Sequence, residues 1–144
     1  MTTKEDVPTR TAEASFNNAP QGKTYLFFIA IDEYKNNIKQ LSNTVRDALA
    51  VSNCLIEHYQ MSRANLKLLF NEEATRKTIC DTFDWYTKEI TAEDNLIFYF
   101  SGHGHYHEYN KSGYWLTADS VSEDRTTFLN NDEIISYIKN NKAR

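Results

Sequence analysis

The chain has 144 residues, 40% of them hydrophobic and 13% aromatic, which suits one globular domain with one core and excludes two full domains. Sixteen Lys and Arg against twenty Asp and Glu give a formal charge of -4, a poor match to a polyanion, so nucleic acid and anionic membrane are not expected partners. The longest apolar run, Tyr25 to Ile31, is seven residues, far below the ~20 of a membrane-crossing helix.

Both prolines, Pro8 and Pro20, fall in residues 1–22 among small and polar residues, with Phe16 the one large apolar side chain. This composition predicts a disordered leader followed by a folded domain over 23–144. Lys4, Glu5 and Asp6 have no apolar stretch behind them, so no export signal is read and a cytoplasmic setting is expected. Cys54 and Cys80 are too few for a disulfide framework and are expected as reduced thiols. Gly22-Lys23-Thr24 shares the ending of a phosphate-binding loop, but Asn17 stands where that loop needs glycine, and the strand follows rather than precedes it.

Tyr25 to Ile31 is apolar at every position, as a strand covered on both faces would be. From Val45, the residues Ala48, Leu49, Ser52, Leu55, Ile56 and Tyr59 form a helical stripe, with Ser42 or Asn43 as cap. Leu66 to Phe70 reads as a second strand. Ile79, Phe83, Tyr86 and Ile90 mark a second helix opening near Thr75. Leu96 to Phe100 is a third buried strand, running into Ser101-Gly102-His103-Gly104. A short strand at Tyr114 to Leu116 follows, with Tyr114 and Trp115 facing the core. A third helix spans Asp132 to Lys139, capped by Asn130 or Asn131. Strands separated by helices imply right-handed crossovers, hence an α/β fold whose mostly parallel sheet has helices on both faces. The last helix is expected to return the chain to the sheet, yet the sequence stops at Arg144, so the fold is expected to be incomplete at its C-terminal end.

In open parallel sheets, reactive groups gather beyond the carboxyl ends of the strands. His103 is expected there. Its two glycine neighbours remove bulk and leave backbone N–H groups free to approach an oxyanion, and a neutral imidazole serves as base and then acid. A surface histidine in a glycine turn is the plain alternative. The alternation of His103, His105 and His107 admits a zinc reading, set against His105 and His107 simply decorating a solvated loop. No metal and no cofactor are expected, and Glu72-Glu73 and Glu123-Asp124 read as exposed loop charge.

The order of elements, with Tyr25-Leu-Phe-Phe-Ile-Ala-Ile-Asp32, Val45-Arg-Asp47-Ala48, Asn95-Leu-Ile-Phe-Tyr-Phe-Ser-Gly-His103-Gly104 and Gly113-Tyr-Trp-Leu, resembles the large-subunit, p20-type region of caspase-like cysteine peptidases, on the bacterial metacaspase and paracaspase-like side. The likeness covers residues 24 to 140. It implies that His103 is half of a Cys-His dyad, that the Gly104 N–H helps hold the oxyanion, and that the substrate is a peptide or protein. The family's nucleophile follows the histidine by about 50 residues, at roughly position 153, outside this chain. Cleavage would then require a complementing C-terminal segment or small subunit. The resemblance further implies that Asp47 lines a pocket for Arg or Lys; a helix-dipole acid of the first turn is the alternative reading of the same residue. Neither cysteine is expected at a strand end with His103. A non-catalytic binding module is the competing reading, because an open sheet edge favours a partner strand or self-association into a homo-oligomer.

Overall fold

The computed structural model describes residues 22–143; the expected leader lies outside the described residues except at Gly22. Three strands, β1 (Thr24–Ala30), β2 (Leu66–Phe70) and β3 (Asn95–Ser101), form a parallel sheet in the order β2-β1-β3. Helix α1 (Thr44–His58) carries the chain from β1 to β2, and α2 (Arg76–Glu89) carries it back across to β3. The fold is the expected mixed α/β arrangement.

Alternation along β1 splits the core in two, because successive strand side chains point to opposite faces. Tyr25, Phe27, Ile29 and Ile31 pack with Ile79, Phe83, Tyr86 and Ile90 of the second helix region, and with Leu129 and Ile134. Leu26, Phe28 and Ala30 pack with Ala48, Val45, Leu55 and Ile56 of α1. Aromatic edges and faces fill the first cluster: Phe27 meets Phe83 at 5.2 Å between centroids, and Phe83 stacks on Tyr137 at 5.0 Å. The α1 stripe is narrower than its sequence pattern suggests. Leu49 and Tyr59 stand exposed, since one short sheet face touches less than two full turns of apolar residues.

A second, antiparallel sheet surrounds the short strand that the sequence predicts near Tyr114. It consists of β4 (Gly104–His107), β5 (Ser112–Trp115) and β6 (Leu129–Asn130). The stretch expected as a glycine turn and solvated loop is therefore an edge strand, although His105 remains exposed. Of its four residues only Tyr106 is a large apolar side chain, and it is exposed, so periodicity carries no signal of a buried face. The expected strand at Tyr114 to Leu116 lies two residues earlier at its start and ends at Trp115. Trp115 faces the main core, stacked on Phe98 and Phe100 at 5.5 and 4.3 Å, whereas Tyr114 faces the other way, toward His105 and Phe128. Helix α3 (Asn131–Asn140) follows, its Asn130 side chain accepting from the Asp132 N–H at 2.7 Å, as the sequence predicts.

Hydrogen-bonded carboxylates, Asp94 buried and Asp32 half-buried, stand at the two ends of the parallel sheet. At the amino end, Asp94 accepts from the Thr91 N–H, the Thr91 hydroxyl and the Lys23 N–H at 2.7 to 2.9 Å. These donors, the Thr91 N–H first, hold its pKa below the usual carboxylate value. At the carboxyl end, Asp32 does the corresponding work for α1, described next.

Candidate active site

After β1 the chain packs on one face of the sheet through α1, and after β3 it packs on the opposite face through Trp115 and α3, so the connections diverge between β1 and β3. Such a divergence, beyond the carboxyl ends of the strands, is where α/β folds gather their functional groups. Ala30 pairs with Ser101 in register, and the Ile31 N–H donates to the Ser101 carbonyl at 3.0 Å, so Asp32 and His103 emerge side by side.

Asp32 builds one wall. Its Oδ1 accepts from the Thr44 N–H at 2.9 Å and the Thr44 hydroxyl at 2.8 Å, and Oδ2 from the Val45 N–H at 3.4 Å. The carboxylate thus caps α1 from twelve residues upstream. The expected cap, Ser42 or Asn43, is not used: Asn43 sits at a left-handed φ of 75° and makes no side-chain cap bond. A carboxylate at a helix N-terminus satisfies orphan N–H groups and opposes the positive end of the dipole. In the sequence Asp32 simply follows an apolar strand, and capping across a loop leaves no local spacing to find.

His103 is half-buried and held from three sides. Its backbone N–H donates to the Tyr34 hydroxyl at 2.8 Å, the Tyr34 ring lies 5.0 Å from the imidazole, and Nε2 is 2.8 Å from the Lys39 carbonyl oxygen. A carbonyl can only accept, so the neutral ring carries its proton on Nε2 and keeps the lone pair on Nδ1. Nδ1 makes no hydrogen bond among the described residues, which leaves it the basic atom of the site. Tyr34 is 5% exposed, and burial, reinforced by Asp32, pushes its pKa up to about 12 against the opposing His103 N–H. It is therefore a neutral phenol throughout the physiological range.

The glycines on either side of His103 do different things. Neither has positive φ. A Cβ at Gly102 would stand 2.6 Å from the Tyr34 oxygen and 3.0 Å from the Phe100 ring, so only glycine admits this close approach. At Gly104 the nearest atom to such a Cβ is the Tyr114 carbonyl oxygen at 3.7 Å, an ordinary contact. What matters at Gly104 is its ladder position. The Leu116 N–H donates to the His103 carbonyl at 3.0 Å, which puts the Gly104 and Trp115 pair at a non-hydrogen-bonded position of the antiparallel ladder. The Gly104 N–H accordingly points away from β5. With the His103 N–H already committed to Tyr34, Gly104 supplies the free backbone donor beside the imidazole.

These groups border a cleft of about 500 Å³, lined among others by Ile38, Lys39, His103, Gly104, Arg125 and Phe128. A second hollow of about 410 Å³, near Tyr25, Leu66 and Trp85, is lined by neither histidine nor cysteine. Asp47 does not line the His103 cleft. It lies in the first turn of α1, at the same end of the sheet, with its exposed carboxylate 3.5 Å from Arg46. The alternating histidines do not converge: Nδ1 of His107 bonds Asn110 Oδ1 at 2.8 Å while His103 bonds Lys39. Among the described residues no group of three or more His, Cys, Asp or Glu is placed to hold a metal ion. Cys54 is exposed on α1. Cys80 lies between Arg76 and Glu133, each 3.5 Å from its sulfur, where burial first and the Glu133 carboxylate second push its thiol pKa up. A raised thiol pKa opposes the thiolate a nucleophile needs. Neither sulfur borders the cleft.

A parallel sheet walled by helices on both faces, with a clamped histidine just past the carboxyl end of β3, is a caspase-like arrangement. The caspase domain family matches residues 24–143, and the chain belongs to that family. It is similar to Metacaspase-1 of Schizosaccharomyces pombe, 29% identical over 90 residues that make up 58% of this chain and 21% of that protein. Metacaspase-1 of Pyricularia oryzae is 30% identical over 89 residues, 58% of this chain and 22% of that protein. Metacaspase-2 of Arabidopsis thaliana is 30% identical over 77 residues, 49% of this chain and 18% of that protein. The matched stretch thus spans about a fifth of the length of these relatives. Among the described residues no helix is long and apolar enough to cross a membrane.

Proposed function

We propose that this chain is the histidine-bearing part of a caspase-like cysteine endopeptidase whose thiol is supplied from outside residues 1–144. One observation carries the reading: His103, which lines the cleft together with Gly104, has Nε2 spent on the Lys39 carbonyl and Nδ1 left with its lone pair among the described residues. In a Cys-His dyad the imidazole takes the thiol proton, the thiolate attacks the peptide carbonyl, and the imidazolium returns the proton to the leaving amine. The Gly104 N–H would meet the oxygen that becomes negative in that step. Both cysteines of the chain are ill-placed for the role, which supports a thiol carried by a complementing C-terminal segment or small subunit. Among the described residues the outer edge of β3 has no partner, and such a strand would pair there. Specificity for Arg or Lys, through Asp47, belongs to the proposal. It is supported by an exposed acid at the sheet end that also bears His103. A cytoplasmic setting, which keeps both thiols reduced, completes it.

The test is a fusion of this chain to a downstream strand and cysteine from a metacaspase relative. It should cleave reporter peptides containing Arg or Lys, and His103→Ala in the fusion should lower kcat about 10²- to 10⁴-fold. Undiminished cleavage by that variant overturns the role of His103. Preference for other reporters, unchanged by Asp47→Ala, overturns the specificity.

The half-exposed apolar residues of β3 support a second reading, a non-catalytic binding module that adds a partner strand at this edge. A fusion that folds but cleaves no reporter favours it.

A further inference from the structure

We propose that Gln40 and Tyr34 are positioning residues for His103, acting as one clasp built into the loop after β1: Gln40 fixes the orientation and tautomer of the imidazole, and Tyr34 holds the His103 backbone N–H. The proposal rests on the reading of His103 as an acid and base, and the contacts that carry it are as follows. The Gln40 side chain closes on the backbone of Tyr34 from both sides: Oε1 accepts from the Tyr34 N–H at 2.7 Å, and Nε2 donates to the Tyr34 carbonyl at 2.7 Å. A weaker bond from Nε2 reaches the Ile38 carbonyl at 3.4 Å. This ties the two ends of the 34–40 loop together. At one end of the loop is the Tyr34 ring, whose hydroxyl accepts the His103 N–H; at the other is the Lys39 carbonyl, which accepts from Nε2 of the same residue.

Both restraints on His103 thus issue from a loop whose two ends the Gln40 amide ties together. Rings and carbonyls in loops are ordinarily mobile, and the pull of one acceptor on an imidazole is lost when either partner moves by an ångström. Outside the clasp the loop is fastened by the Leu41 N–H to the Asp32 carbonyl at 2.8 Å, by the Lys35 N–H to the Ala118 carbonyl and the Ile38 N–H to the Lys35 carbonyl, each at 3.3 Å, and by the Asn36 amide, which donates to the Asp119 and Ser120 carbonyls at 3.4 and 3.2 Å. Ile38, 9% exposed, seats its middle in the core. The chemistry selects glutamine. A carboxylate of the same length would accept from the Tyr34 N–H but repel its carbonyl, and a methionine would do neither. Tyr34 is selected for a different reason: its hydroxyl takes the His103 N–H that the antiparallel ladder would otherwise pair with Leu116, and so ties the His103 backbone to the loop.

The experiment uses the isotopically labelled 144-residue chain and needs no enzymatic activity. Nitrogen shifts of the His103 ring, read through its carbon-bound protons in alkaline solution where the imidazole is neutral, report the tautomer. The unaltered chain should show one tautomer, with the proton on Nε2. Gln40→Met should collapse the separation between the two nitrogen shifts, and Gln40→Glu should do so partly, while the amides of Leu26 to Ala30 keep their protection from exchange. Tyr34→Phe should leave the tautomer in place but raise exchange of the His103 backbone N–H by about three- to ten-fold, the loss of one hydrogen bond. An unchanged tautomer in Gln40→Met with the sheet intact overturns the role of Gln40. Should that variant unfold, an unchanged His103 ring in Gln40→Glu does the same. An unchanged amide rate in Tyr34→Phe overturns the role of Tyr34. In the thiol-bearing fusion, Gln40→Met should lower kcat with KM unchanged. If the fusion cleaves nothing while the tautomer responds as stated, the peptidase reading fails and the clasp stands.

Discussion

Strands β1 and β3 are built from nearly the same residues and meet different fates. Leu26 to Ile31 are 0 to 1% exposed, while Leu96 to Ser101 are all half-buried. Composition does not separate them; neighbours do. β1 has a strand on each side and a helix layer on each face, whereas among the described residues β3 is paired along one edge only, and Trp115 of the second sheet covers part of one of its faces. The less covered strand is also the one that runs into His103. Stability is therefore concentrated in the middle of the sheet and the candidate chemistry at its margin, where a backbone edge and a ring nitrogen are both unspent.

Amide hydrogen exchange breaks or sharpens this contrast most strongly. In parallel pairing, alternate residues of a strand bond to opposite sides, so β1 should be protected throughout. β3 should alternate, protected toward β1 and exposed outward, by orders of magnitude between neighbours. Uniform protection along β3 would show its edge covered by a partner or a second copy. Truncation of the side chains comes next. Phe27→Ala should cost about 3–5 kcal/mol in urea unfolding and Phe98→Ala about half of that, because only the first leaves a closed cavity. Equal losses would mean that the two strands are equally enclosed. Asp32→Ala should cost about 1–2 kcal/mol, the loss of a helix cap, with helical signal lost from α1.

A smaller effect is read by pH. The Asp94 carboxyl is lower in pKa in the folded chain than in the unfolded one, so its contribution to stability is fully present above about pH 4 and is lost as the pH falls through the lowered folded value. Asp94→Asn should flatten that part of the pH profile, and an unaltered slope would show the carboxylate unpaired. Asp47→Asn, on an exposed side chain, should change stability by under about 0.5 kcal/mol. A larger loss would show Asp47 packed rather than available to a substrate.

The second helix shows how much a pattern of residues can specify. Ile79, Phe83, Tyr86 and Ile90 recur at helical spacing after Thr75, and Thr75 caps α2 by accepting from the Thr78 N–H at 3.1 Å. The signals there are local, within four residues of one another. The capping of α1 was illegible for the opposite reason, since its donor groups and Asp32 are separated by a loop. Gln40 reads as one polar residue in Asn36-Asn-Ile-Lys-Gln40, and nothing in spacing says that its amide grips Tyr34.

By itself, the amino-acid sequence determined the parallel α/β class, the order of the three main strands and two long helices, and the placing of His103 beyond a strand end, because apolar periodicity and glycine placement are properties of neighbouring residues. Only the tertiary structure decided which strand is enclosed, that the histidine-rich stretch is an edge strand, that Asp47 faces solvent beside Arg46, and which ring nitrogen of His103 stays free. Each of these depends on groups brought together across loops and sheets, where a bond between Asp32 and Thr44, or between Lys39 and His103, is a matter of distance in space and leaves no period along the chain.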